Sequence, residues 1–323
     1  MNLINQSCEA YIQEPGLNGI YKQIERAGRT CYKSSDKITE DSAKPFVERM
    51  IKSNHLAMLE HGTVYLKYSW AGIVCETCGQ IIPNKVIDKY CNNPYSRVNY
   101  HGNDVYITSN LRVIIEHHWE DDLKYLCEPT EFHEKRYTLH CTTALHCYKD
   151  LTRHRVMSFA VESTRFCNYG REKFGKELTF IIPTWCKYIK PGKGFWQDNL
   201  IFHTEDRDWN EPLNSDDVAE WHAEYGLIRT LDIIEHTYLA QIDHNWKAQQ
   251  AAEILPQCVK GDMIITGFAS DWKHLLDLRY TGTTGAPHPM VKELATLMKT
   301  ELEKQGFIYE TDKRSIRTGP TYF

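Results

Sequence analysis

Nowhere does the 323-residue sequence hold an apolar run long enough to cross a bilayer, so no transmembrane helix is expected. The stretch Met1-Asn2-Leu3-Ile4-Asn5-Gln6-Ser7-Cys8 lacks a basic segment followed by an apolar one. No secretory signal is read there, and the expected compartment is the cytoplasm. An excess of positive charge is also lacking. The net charge is −5 and the pI is near 6.3, which argues against a general nucleic-acid binder with its broad basic footprint. A local basic pocket for one small phosphorylated ligand is still allowed. Disulfide spacing is missing as well: eleven cysteines, odd in number and scattered, fit reduced thiols. Cys75-Glu76-Thr77-Cys78 has the spacing of a metal knuckle, but the second ligand pair is absent unless Cys91 joins His101. Two ordinary thiols are the simpler reading, and no metal is expected.

What is present is ordinary in bulk, with 41% hydrophobic and 25% charged residues, and long enough for one elaborated domain over 1–323. The chemistry concentrates in Arg153 to Phe166, which packs three arginines, a histidine, two serines, a threonine and a glutamate into fourteen positions. Its polar residues fit neither helix nor strand period, so a shaped loop is expected between a helix at 143–151 and a strand at 178–182. Arginine forks with serine or threonine hydroxyls suit an anion such as phosphate. The same residues also suit a basic helix end followed by a solvated serine turn.

Ile20, Ile24, Ala27 and Cys31 repeat at helical spacing over 16–34, and Phe46, Val47, Met50 and Ile51 mark a second helix. Val64, Leu66 and Tyr68 alternate as in a half-buried strand, and so do Tyr137, Leu139 and Cys141. Residues 69–104 read as an insertion between two early strands. A long helix carries Trp221, Tyr225, Ile228, Leu231, Ile234 and Tyr238, with Asp217 and Glu220 as its capping box, and another helix covers 247–255. Ser270 is placed to cap a helix over 271–278, and an amphipathic helix follows from Pro289. The economical arrangement is α+β, an antiparallel sheet packed with helices. Two further polar sites stand out. Glu60-His61 sits where a helix gives way to a strand, and a hydrogen-bonded structural histidine would look the same. Arg279 closes the 271–278 helix, where a dipole partner would look the same.

Arg153-His154-Arg155, seven residues, then Ser163 resembles the signature of the flavin-dependent thymidylate synthases, the ThyX family. The flanks agree in order: Ile24 to Tyr32, His55 to His61 before a strand, and Thr266-Gly267, Trp272, His274 and Leu278-Arg279 near the C-terminus. The resemblance covers 18–68, 136–183 and 250–303. It implies FAD-dependent methylation of dUMP to dTMP, with methylenetetrahydrofolate as carbon donor and NADPH as reductant. It further implies a homotetramer with sites shared between subunits, and neither nucleic acid nor membrane as partner.

By that resemblance Ser163 and Arg165 hold the nucleotide phosphate, with Asp150 and Glu162 near the substrate. Arg279 addresses the uracil and supplies the catalytic charge. His61, Arg153, His154, Arg155, His274 and Leu278 surround the flavin. The chain departs from the family where Ala160-Val161 replaces Asn-Glu, where Ala252 replaces an Arg, and where Phe268 and Ser270 replace an Asn and an Arg. One alternative is a related flavoenzyme that acts on another pyrimidine nucleotide or transfers another one-carbon group. Another is a non-enzymatic zinc or nucleic-acid module built on Cys75, Cys78 and the arginine-rich stretch.

Overall fold

A computed structural model describes residues 1–69, 85–201 and 215–310. Two short strands, β1 (Asn2–Ile4) and β2 (Ser7–Ala10), open the chain. Helix α1 (Gly16–Cys31) buries Ile20, Ile24 and Ala27 on one side, as the helical period requires. It ends with Ser34 N donating to Arg29 O and Lys33 N to Thr30 O, at 3.0 and 3.2 Å. That is the paired bonding of a left-handed helix stop, with Lys33 at φ 44° where glycine is usual. Helix α2 (Ala43–Lys52) packs beside α1 through Phe46 and Val47.

Strand β3 (Thr63–Ser69) pairs antiparallel with β5 (Asp104–Asn110), which also pairs with β4 (Arg97–His101). Thr63 through Leu66 are all buried, so β3 is enclosed on both faces there rather than half-buried. Helix α3 (Lys85–Cys91) precedes β4, and α4 (Leu111–Glu116) follows β5 with Asn110 accepting from Val113 N as its cap. Ile87 and Tyr90 join the core of α1, β3 and β5. The described part of the expected insertion is therefore built into that core. Cys75 and Cys78 lie outside the described residues. Cys91 is exposed beside Tyr100, and His101 stacks on Phe132 at 3.9 Å. Among the described residues no group of three potential ligands could hold a metal ion.

Strand β6 (Arg136–Ala144) leads directly into α5 (Leu145–Leu151). The helix expected from 143 starts two residues later, because Thr143 and Ala144 still pair with Gly261 and Lys260. Strand β7 (Ser158–Val161) lies inside the stretch expected to be one loop. Its residues alternate buried and half-buried, and it pairs antiparallel with β10 (Lys260–Phe268) from Met263↔Val161 to Thr266↔Ser158. Backbone ladder bonding overrides a polar composition that lacked a strand period. The resulting four-stranded antiparallel sheet runs β2-β6-β10-β7. A third sheet joins β8 (Thr179–Ile181), β1 and β9 (Gly192–Lys193), with β1 parallel to β8.

Helix α6 (Ser215–Asp243) is the long helix expected, with Ile228, Leu231 and Tyr238 buried against β1 and β8. Its described part already includes Ser215, so Asp217 lies within the helix. The expected 247–255 helix is split into α7 (Ala248–Ala251) and a 3-10 turn, Ala252–Ile254. Helices α8 (Ala269–Leu276) and α9 (Pro289–Lys304) cover the four-stranded sheet through Trp272, Leu275, Leu294 and Met298. Ser270 lies in the first turn of α8 and bonds Glu134, while Asp271 accepts from Phe268 N at 3.0 Å. The aspartate thus supplies the cap expected of Ser270. The architecture is α+β, with the sheet divided into three. Among the described residues no helix is long and apolar enough to cross a membrane.

Candidate active site

Beyond Leu276 the helix widens into a single π-helical turn, Asp277–Thr281, which carries Leu278 and Arg279. Such turns lose regular packing in exchange for redirecting a side chain, and they concentrate at functional sites. Here the turn sends Arg279 across to the end of α5. Arg279 Nη2 donates to the backbone carbonyl of Asp150 at 2.8 Å, and Nε points at His154 Nε2 at 3.3 Å. The Asp150 carboxylate stands 4.0 Å from Nη1. The guanidinium is held by two residues at the end of α5, each more than a hundred positions earlier in the sequence.

The Arg153-His154-Arg155 triplet occupies the turn between α5 and β7. His154 N donates to Leu151 O and Met157 N to His154 O, both at 3.0 Å, so the turn is fixed by its own backbone. It also presses on Gly267 of β10, where an added Cβ would stand 2.7 Å from Met157 Cε. A side chain there would push the turn off the strand. His154 is buried. Burial, then the Arg279 charge, then His274, lower its pKa to about 4. The ring is therefore neutral near pH 7, and its Nε2 lone pair can accept from Arg279.

Arg153, His154, Arg155, His274, Leu278 and Arg279 line one cavity of about 200 Å³, which Met157 and Asp271 complete. Six of the expected site residues thus converge. The rings of His154 and His274 stand 5.7 Å apart, edge to face. Asp150 and Arg153 also line a neighbouring cavity of about 850 Å³, walled by Trp185, His288, Pro256 and Cys258.

The other expected residues lie elsewhere. His61 is wholly buried and lines neither of these cavities. Its Nδ1 lies 2.8 Å from Thr266 Oγ1, which in turn meets Thr138 Oγ1 at 2.9 Å. Burial, then Arg136, lower its pKa to about 3, and its Nε2 has no partner. Ser163 and Arg165 sit past the far end of β7, away from Arg279. Glu162, expected near the substrate, has a side chain only 1% exposed, and its carboxylate is engaged by partners within the chain. Tyr169 Oη donates to Oε1 at 2.7 Å, and Lys260 Nζ and Asp262 N each lie 3.1 Å from Oε2. The neighbouring departures are apolar and packed: Ala160 is buried with Ala27 and Ile264, and Val161 packs on the opposite side of the sheet.

Sequence reasoning assigned no site role to the residues of a third cavity, about 830 Å³, between α1, α2 and the 3-10 turn Leu56–His61. Arg29, Lys37, Arg49, His55 and Lys173 line it together with an apolar wall that includes Phe46 and Met58. Its signal was present, because Arg29 and His55 belong to the stretches whose order resembles the family. Their convergence needed the packing of α1 against α2.

Four of the described thiols are held protonated by burial. Burial pushes Cys31 and Cys147 up to about 11, Cys186 to about 12 and Cys258 to about 11. Each is a thiol rather than a thiolate near pH 7, so none of them is a ready nucleophile.

With this geometry in place, the family profile of the thymidylate synthase complementing protein matches residues 104–305, more than half of the chain. The chain belongs to that family, ThyX. A comparison with curated proteins finds no match. Among solved structures, the chain is similar to a UMP/dUMP methylase, PolB, from Streptomyces cacaoi bound with 5-Br dUMP. The identity is 14%, the match covers 94% of this chain and 93% of that one, and the TM-score is 0.41. It is also similar to Thymidylate Synthase X from Helicobacter pylori with FAD and dUMP. That match has 13% identity, 97% and 99% coverage, and a TM-score of 0.36.

Proposed function

We propose that this ThyX-family protein methylates dUMP to dTMP, with FAD bound, methylenetetrahydrofolate as carbon donor and NADPH as reductant. The observation that carries the reading is Arg279, fixed by the Asp150 carbonyl and His154 and facing the cavity that the arginine triplet lines. Carbon 5 of uracil is a weak nucleophile unless negative charge on the ring carbonyls is stabilised. A guanidinium held in advance provides that stabilisation without reorganising. Neutral His154 helps because it accepts a hydrogen bond, whereas an imidazolium would repel Arg279. The absence of an activated thiol among the cysteines described above suits a route with no cysteine attack on the ring.

A cavity of about 200 Å³ is smaller than the usual range for a drug-sized ligand, roughly 300–1,000 Å³. The cavity along Arg153–Arg279 therefore encloses only part of a dinucleotide. The exposed arginines Arg153 and Arg155 stand at its rim, where a site completed by another subunit would need them. His154, His274 and Leu278 would line the cofactor's edge, and the basic cavity at Arg29 and Arg49 suits an anionic extension. Bound FAD would supply hydride transfer. In the homotetramer expected of the family, Ser163 and Arg165 would hold the phosphate of a nucleotide bound at another subunit's Arg279. Such sharing accounts for their distance from Arg279 within one chain.

A second reading keeps the flavin and changes the pyrimidine nucleotide, because Ala160 and Val161 bring no polar group where the family pattern has Asn-Glu. Absorbance spectra of the purified protein with and without dUMP, NADPH addition without oxygen, and product analysis test both. The expected result is a flavin spectrum perturbed by dUMP, bleached by NADPH, with dTMP formed. Protein that takes up no FAD would overturn both readings, while turnover of another nucleotide but not dUMP would favour the second.

A further inference from the structure

Lys33 is an unusual residue for its position. It occupies the left-handed stop of α1 at φ 44°, a conformation that costs a lysine energy and a glycine almost none. What the lysine gains is visible in the packing. Its Nζ lies 3.1 Å from Glu162 Oε1, a carboxylate whose side chain is 1% exposed. It also lies 5.3 Å from the centre of the Tyr169 ring, whose hydroxyl shares the same oxygen. The next residue along from Glu162 repeats the link, because Ser163 N donates to Cys31 O at 3.0 Å. Between Cys31 and Lys33, Tyr32 sets its ring against that of Phe166, with centroids 5.5 Å apart. Three successive residues of the α1 stop are therefore tied to the segment that carries Ser163 and Arg165.

The two sides of this seam face different places. Cys31, Tyr32 and Ser34 line the basic cavity of about 830 Å³. Ser163 and Arg165 form the segment assigned to the nucleotide phosphate. Glu162 occupies the point between β7 and that segment, and Lys260 and Asp262 N secure its other oxygen to β10. A carboxylate gripped at both oxygens cannot swing, so the residues that follow it start from a fixed point.

We propose that the Lys33–Glu162 ion pair is a positioning latch that sets the Ser163–Arg165 segment for phosphate binding and joins it to the wall of the basic cavity. The proposal rests on the reading of Ser163 and Arg165 given above. Lys33 and Glu162 touch no ligand and act only through the segment they hold. Misplacing a phosphate cradle weakens a phosphorylated ligand and leaves a ligand without phosphate largely indifferent.

The test uses full-length protein with flavin and four variants: Lys33→Gly, Lys33→Met, Glu162→Gln and the double Lys33→Met/Glu162→Gln. Lys33→Gly is the informative one, because glycine relieves the backbone strain while removing the latch. Its thermal midpoint should be unchanged or higher. Its dissociation constant and KM for dUMP should rise about tenfold, with kcat at saturation and affinity for deoxyuridine, which has no phosphate, within about twofold. Glu162→Gln should shift dUMP binding the same way if it folds, and Lys33→Met/Glu162→Gln should be no worse than the weaker single variant. Wild-type affinity for dUMP in Lys33→Gly overturns the latch. So does an equal loss of dUMP and deoxyuridine, which marks a general structural role. A wild-type protein that binds neither nucleotide would instead bring down the functional reading itself.

Discussion

Replacing Arg279 tests the site most directly. Arg279→Gln removes a guanidinium that donates at 2.8 Å to the Asp150 carbonyl and at 3.3 Å to His154. The carbonyl bond is charge-assisted and part-buried, a class that contributes about 1.5–3 kcal/mol to stability. The Asp150 carboxylate at 4.0 Å is roughly a third exposed, so its share is at most about 1 kcal/mol. Folding should therefore weaken by about 1–3 kcal/mol, which leaves a folded protein whose chemistry can be read. Turnover should fall much further, by about 100-fold or more, the usual effect of removing one donor from a site where negative charge develops. Arg279→Lys keeps the charge but cannot make both bonds, so it should recover little of this loss. A second readout is independent of turnover. Loss of the Arg279 charge should raise the His154 pKa from about 4 while burial, the larger cause, holds it below 6.5. Urea unfolding, dTMP formation and a proton NMR titration of His154 measure the three effects. Turnover within threefold of wild type in folded Arg279→Gln would refute the reasoning.

His61 and His154 make the protein acid-sensitive. Both are depressed in the folded state, to about 3 and about 4, so the unfolded chain binds their protons first as pH falls. Their contribution is intact above about 6.5 and is lost as pH drops towards 4 and then 3. For His154 the shift corresponds to about 3 kcal/mol at most; urea midpoints from pH 7 to 4.5 should fall, and should fall less in His154→Gln. No difference in slope between the two proteins would count against a neutral buried His154. Gly28→Ala places a Cβ 2.5 Å from Phe46 Cζ, so α1 and α2 must separate. A cost of about 1–3 kcal/mol is expected, together with altered ligand uptake at the basic cavity; an unchanged urea midpoint would contradict the packing. Leu294→Ala on α9 should cost about 2–5 kcal/mol, since Leu294 is fully buried beneath the sheet. Its kcat at low temperature should stay near wild type, and a large kcat loss in folded protein would show that α9 does more than support.

The sequence made α1, α2, α6 and α9 legible because each repeats apolar residues at helical spacing over many turns. The same signal was missing from β10, the strand that organises the main sheet. Gly261 through Phe268 are buried on both faces apart from Asp262, so no alternation marks them, and a short apolar run does not distinguish strand from helix. β7 was hidden in a different way: Ser158 and the adjoining Glu162 gave it a polar look, although both are buried. At the site, the convergence of Arg153, His154 and Arg155 with His274, Leu278 and Arg279 followed from the order of motifs. The directions of His61 and Glu162 did not, because inward-facing polar side chains are set by partners distant in sequence. His61 depends on Thr266, 205 residues on, and Glu162 on Lys260, 98 residues on.

The position of β7 gives the signature its meaning. Four strand residues, each advancing about 3.3 Å, hold the arginine triplet and Ser163–Arg165 at opposite ends of an edge strand. One end meets Arg279 across a π-helical turn; the other is locked to the stop of α1 through Ser163 N and Cys31 O. A contiguous loop could fold both ends around one small ligand, whereas a paired strand holds them apart. On the function proposed above, a single nucleotide uses both ends when a second copy of the chain brings its Ser163–Arg165 segment to this copy's Arg279. On that reading the protein's concentration is part of its chemistry. Dilution into monomers should abolish dUMP binding while leaving the His154–Arg279 contact intact, and sedimentation together with dUMP titration across the same concentrations would show the two losses coinciding. A monomer that binds dUMP with undiminished affinity would mean that one chain's cavity is sufficient and that the far end of β7 has another task.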